Sequence, residues 1–159
     1  MVTQQRYVAI SGPGDGAQPQ DLADAGFIAR ELARAGVIIL CGGLGGVMGA
    51  AAQGAAQGGG ISVGLLPAAD RTQAHHALTV SLPTGMGELR NGLLIRAADA
   101  VVVIGGSWGT LSELALAVRT GVPVVTLRSW AVDPAGVPGN VPDAQAAVAQ
   151  VVAHLRGPA

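Results

Sequence analysis

Six short apolar runs, each long enough for a strand and too short for a helix, alternate along the chain with segments of helical periodicity. The runs fall at residues 7–10, 37–41, 62–66, 77–82, 100–104 and 122–127, and the helical patterns at 19–35, 46–57, 87–98, 110–119 and 143–156. A run such as "AVVVI" at 100–104 has no polar alternation. That marks a strand covered on both faces, and so a parallel sheet between two layers of helices. The expectation is one α/β domain over residues 1–159, a length that supports one core. Hydrophobic residues make up 50% of the chain but aromatic ones only 3%, so that core must be aliphatic and alanine-rich, with backbones packed closely.

In a right-handed βαβ series the carboxyl ends of the strands share one edge, and the crevice forms there. Three turns expected at that edge are rich in glycine: "SGPG" from Ser11, "CGGLGGVMGAA" from Cys41 and "GGSWGT" from Gly105. Glycine lets the backbone approach a ligand, and the N–H groups opening the next helix favour an anion. Three such turns on one edge point to a ligand carrying phosphate or ribose, held by Ser11, Gly12, Gly42, Gly43, Gly45, Gly46, Gly105, Gly106, Ser107, Trp108, Gly109 and Thr110. A dinucleotide fingerprint does not complete itself: Ala17 stands where a third glycine belongs, and Glu31 falls in mid-helix.

The third turn also spells G-x-S-x-G, with Asp133 and His154 following Ser107 in the order of a hydrolase triad. Against that reading, His154 sits in the last helical segment and no HGGG-type stretch occurs. Thr110 is read as opening the next helix, with Glu113 three residues later either as its capping-box partner or as a carboxylate beside a bound sugar. Residues 132–142, with three prolines and two glycines, read as a surface loop.

Other features narrow the function. The chain has nine arginines and no lysine, which excludes a P-loop of the GK[ST] kind and a pyridoxal phosphate Schiff base. A net charge of −1 without long charge runs argues against a nucleic-acid surface or a polybasic membrane patch. No stretch reaches about 18 apolar residues, and the single cysteine, Cys41, gives no intrachain disulfide, so a cytoplasmic location is expected. His75 and His76 have no third ligand in sequence reach, so no metal site is expected, and Asp99 reads as a turn residue.

"CGGLGGVMGAAAQGA" together with "GELRNGLLIRAADAVVVIGGSWGTLSELALA" resembles the Lonely Guy (LOG) family of nucleoside monophosphate phosphoribohydrolases, on the bacterial branch that includes molybdenum-cofactor carrier proteins. The resemblance covers roughly residues 7–127 and implies a Rossmann-like fold and a homodimer with its sites near the interface. It also implies a functional pair: Arg90 from "MGELRN" and Glu113 ending "GTLSE". Asn91 replaces the family's lysine and Gly105-Gly106-Ser107 its Pro-Gly-Gly. Two functions therefore stand side by side. One is hydrolysis of the N-glycosidic bond of a nucleoside 5′-monophosphate, with Arg90 and Glu113 catalytic and no cofactor required. The other is a carrier that holds a nucleotide or molybdopterin-type ligand without cleaving it.

Overall fold

The computed structural model describes residues 4–132, 137 and 139–157. In chain order it contains β1 (Tyr7–Ser11), α1 (Pro19–Arg34), β2 (Ile38–Cys41), α2 (Val47–Gln57), β3 (Ser62–Leu66), β4 (Val80–Pro83), a single 3-10 turn (Gly87–Leu89), α3 (Arg90–Arg96), β5 (Ala100–Ile104), α4 (Trp108–Thr120), β6 (Val124–Leu127) and α5 (Ala144–Arg156). The strands form one sheet in the order β4-β3-β2-β1-β5-β6, and every pairing is parallel. This is the parallel α/β sheet expected from the alternation of runs, in the Rossmann-like form that the resemblance implies.

The chain winds outward from β1 to β4, then returns to place β5 on the other side of β1. The strand order therefore reverses between β1 and β5. Loops leaving these two strands diverge to opposite faces, and the gap between them is where open α/β sheets hold ligands.

The two faces of the sheet follow from the two-residue period of each strand. Val8, Ile10, Ile39, Val102, Ile104, Val125 and Leu127 pack with α1, α2 and α5, while Ala9, Leu40, Leu65, Val101, Val103 and Val124 pack with α3 and α4. On the first face α1 and α2 approach backbone to backbone. A methyl group on Gly54 would strike the carbonyl oxygen of Gly26, so neither helix could close this far with a larger residue at 54.

The ends of the elements show where local chemistry overrode the pattern. β4 begins at Val80 and not at Ala77, because residues before it are held as a turn: Ala77 N–H donates to His75 Nδ1 at 3.2 Å and Ser62 N–H to Thr79 Oγ1 at 3.1 Å. The expected helix over 87–98 opens with the 3-10 turn and becomes α-helical only at Arg90. α4 begins at Trp108, two residues before Thr110, because Ser107 serves as its N-cap and accepts from Thr110 N–H at 3.2 Å. Asp143 caps α5 in the same manner through Ala146 N–H at 2.8 Å. In the loop 132–142, residues 133–136 and 138, Asp133 among them, lie outside the described residues. Among the described residues no helix is long and apolar enough to cross a membrane.

Candidate functional site

Ser11 ends β1, at the strand-order reversal, and its hydroxyl donates to Glu113 Oε2. Glu113 sits in the second turn of α4 on the side that meets the sheet, and is 7% exposed. Its other oxygen lies 3.8 Å from Arg90 Nη1. Arg90, the first residue of α3, is 8% exposed. Strand β1, helix α3 and helix α4 thus each bring one polar side chain to a common buried point.

Arg90 is only loosely satisfied there. Its Nη1 donates to Asn91 Oδ1, its Nη2 makes a long 3.4 Å bond to the Gly42 carbonyl, and its Nε has no partner. Among the described residues the buried side-chain polar atoms without a partner are Arg90 Nε and Ser129 Oγ. Leaving a buried donor unmatched costs about 1–3 kcal/mol, and more when it is charged. Asn91 supplies an acceptor to Arg90 and donates to Ser112 Oγ at 3.3 Å, which ties α3 to α4.

Burial also sets the protonation of the group. It raises the Glu113 pKa above the usual carboxylate range, against the opposing pull of the Ser11 hydroxyl and the Arg90 charge. Cys41, at the end of β2, is fully buried, and burial pushes its thiol up to about 11 despite the Gly43 N–H and the Arg90 charge. It behaves as a small core residue.

The glycines separate into two kinds. A side chain on Gly12 would meet Val47, one on Gly43 would meet Leu66, and one on Gly46 would strike the Pro13 and Gly14 backbone. These positions let loops and helices touch. Gly43, Gly46 and Gly105 also adopt positive φ, at 80°, 61° and 66°. A methyl on Gly42 would lie 2.5 Å from both Arg90 Nη2 and Met48 Sδ, so this glycine makes the space the guanidinium fills. Gly45 has nothing near its missing side chain, and Gly109 has only Ser107 Oγ, at 3.8 Å. At these two positions a side chain would have room.

At the start of α4, Ser107 Oγ is bonded to Thr110 N–H and lies 2.6 Å from Thr110 Oγ1. The hydroxyl therefore works as a helix cap, and His154 is exposed in the last turn of α5, on the opposite face of the sheet from α4. The G-x-S-x-G reading has no geometry behind it. The capping-box reading of Glu113 fails as well, since the cap is Ser107 and Glu113 turns to Ser11 and Arg90. Trp108 is 79% exposed and leans on Trp130 with ring centroids 5.3 Å apart, while Trp130 Nε1 donates to the Ser107 carbonyl at 3.0 Å.

A second cluster at the same edge escaped the sequence. Arg128, immediately after β6, holds Asp21 Oδ1 at 2.9 Å and Asp24 Oδ2 at 2.7 Å, with a positive φ of 50°. Asp21 in turn packs beneath Gly105, where a side chain would meet its Oδ2 at 3.0 Å. An acid in the first turn of a helix is legible, but its partner lies 107 residues away. His75 and His76 stack at 4.4 Å, and among the described residues no group of three His, Cys, Asp or Glu could hold a metal ion. Asp99 immediately precedes β5, and its carboxylate accepts from Tyr7 N–H at 2.8 Å. A groove of about 660 Å³ between α1 and α2, lined by Phe27, Arg30, Gln53 and His75, reaches this edge at Gly46 but does not include Arg90 or Glu113.

Known proteins share this architecture along its whole length. The molybdenum cofactor binding protein of the phototrophic bacterium Rippkaea orientalis superposes with a TM-score of 0.89 at 27% identity, covering 96% of this chain and 98% of that one. The molybdenum cofactor carrier protein of Chlamydomonas reinhardtii gives 0.87 at 28% identity, over 96% and 99%. An uncharacterized protein of Archaeoglobus fulgidus is 37% identical over 101 residues, which span 64% of this chain and 66% of that protein. The model of the SLOG cluster4 family matches residues 5–154, and the chain belongs to that family.

Proposed function

We propose that the chain binds a phosphorylated, molybdopterin-type ligand in the crevice between β1 and β5 and carries it without cleaving it. The observation that carries this reading is the orientation of Glu113. Both of its oxygens turn to protein partners, Ser11 and Arg90, so its carboxylate serves to hold Arg90 and is not presented to a sugar. The donor set fits an anionic cargo: the first-turn N–H groups of α4, the open backbone at Gly45 and Gly109, and a buried arginine with donor capacity to spare. Backbone N–H groups of Gly106 to Gly109 hold the phosphate, Arg90 supplies the balancing charge, and Gly42 to Gly46 border the ligand from the neighbouring loop. The full-length likeness to proteins named for this cofactor supports the same cargo.

The test is retention. Purified protein incubated anaerobically with cofactor released from a denatured molybdoenzyme, then desalted, should keep molybdenum and pterin in equal amounts, read by mass spectrometry and by fluorescence of the oxidised pterin. Loss of both on desalting would overturn the carrier reading.

A second reading, phosphoribohydrolase activity, is favoured by one observation. Burial raises the Glu113 pKa next to Arg90, the direction a general acid requires. Under it, Glu113→Gln should bind nucleotide normally but lower the release of free base from AMP or GMP by at least about 100-fold. We also assign self-association to the α3 side, where Met86, Leu89 and Leu93 are exposed, Leu89 by 77%. Light scattering at micromolar concentration should give a multiple of the chain mass.

A further inference from the structure

The chain has four aromatic side chains, counting one Phe, one Tyr and two Trp, and the two tryptophans meet at the turn that opens α4, Trp108 from the turn itself and Trp130 from the segment after β6. Trp130 fixes the turn from below. Its Nε1 donates to the Ser107 carbonyl, and its ring lies against Gly106, where a side chain would meet it at 3.2 Å. Trp108 leans on that ring at an interplanar angle of 31°, with 79% of its surface in water. One side of the Trp108 indole is therefore backed by protein and the other is open.

Such exposure forgoes the burial that a ring of this size gains in a folded chain. It is supported by a second ring and a hydrogen bond, so the side chain is held and does not trail loosely. Trp108 is also the first residue of α4, so its indole and the first-turn N–H groups belong to the same turn. A ligand with a phosphate on those N–H groups and a ring one sugar away spans from the helix start to the indole. We propose that Trp108, backed by Trp130, is a stacking platform for a planar fused-ring heterocycle, a purine or a pterin. This rests on the phosphate reading above and adds to it what selects the ligand: the ring and not the sugar phosphate.

GMP and ribose 5-phosphate test it, since they share the sugar phosphate while only GMP carries a planar fused-ring base, with the same amino-oxo edge as a pterin. Both tryptophans report directly through their emission. GMP should quench that emission and bind about tenfold or more tightly than ribose 5-phosphate. Trp108→Ala, which keeps the backbone N–H at 108, should lower GMP affinity to the ribose 5-phosphate level, and Trp108→Phe should restore most of the difference. Because Trp108 is exposed, these variants should melt as the wild type does. Equal binding of the two probes by the wild type overturns the platform, as does a Trp108→Ala protein that still prefers GMP. Emission that shifts with protein concentration in the absence of ligand also overturns it, since a second copy would then cover the ring. Binding of neither probe removes the phosphate site and the platform together. If GMP binds with this Trp108 dependence while molybdenum cofactor is not retained, the platform stands and the cargo reading alone falls.

Discussion

Two arginine–carboxylate clusters stand at the carboxyl edge of the sheet, and they are built in opposite ways. Arg128 meets Asp21 and Asp24 at 2.9 and 2.7 Å, with its Nε also donating to Asp21 at 3.1 Å, and its own side chain is 40% exposed. Arg90 lies 3.8 Å from Glu113, is buried, and leaves its Nε unmatched. The first has short, complete geometry and fastens the start of α1 to the end of β6. The second bears the desolvation cost of two buried charges that do not touch closely, each leaning instead on a neutral partner, Ser11 or Asn91. Bonding is complete where the start of α1 is fastened to β6, and donor capacity is left over at Arg90 beside the crevice.

Breaking the buried pair should cost most. Glu113→Ala leaves Arg90 as an uncompensated buried charge and should lower unfolding free energy by about 3–5 kcal/mol in chemical denaturation. Arg128→Ala, whose partners gain access to water, should lower it by about 1–2 kcal/mol. Equal losses would erase the distinction. On ligand affinity Arg90→Ala should weaken GMP by about 1.5–3 kcal/mol, the range for hydrogen bonds to charged groups, and Arg128→Lys should not. Calorimetric titration of both variants reads this directly.

The pH dependence is smaller and has a definite sign. Because the folded-state pKa of Glu113 is raised, the folded chain binds more protons than the unfolded one between the ordinary Glu value and that raised value. The contribution of this group is fully present below the unfolded pKa and is lost as pH rises through the folded pKa. Its slope is at most about 1.4 kcal/mol per pH unit. Glu113→Gln cannot ionise, so its melting temperature should vary less than that of the wild type as pH rises from about 4. Smallest of all, Cys41 should stay unlabelled by a thiol reagent at pH 8, since burial holds its pKa near 11, until denaturant is added. Labelling of the native protein would mean that the floor beneath Arg90 is open.

The alternation of runs was enough to read the sheet, and a resemblance in "GELRN" and "GTLSE" was enough to bring Arg90 and Glu113 to attention. Local ends were harder. Ser107 and Thr110 both have hydroxyls suited to a cap, and only the backbone conformation at Ser107 decides which one serves. The glycines looked alike as letters, yet Gly12 and Gly46 answer to packing while Gly45 and Gly109 remain open. That distinction depends on neighbours from other elements. The Ser11 to Glu113 bond, across 102 residues, and the Arg128 cluster were invisible because no local period connects their partners.

Gly42 gives the Arg90 site an unusual dependence. The guanidinium occupies volume that the chain vacated elsewhere, so one methyl group at position 42 competes with it for the same place. The atoms in the way belong to the flexible Arg90 and Met48 side chains and not to backbone, so Gly42→Ala should be accommodated by displacing the guanidinium. The two positions are sterically coupled: a side chain at 42 displaces the guanidinium, and an arginine seated as Arg90 is requires glycine at 42.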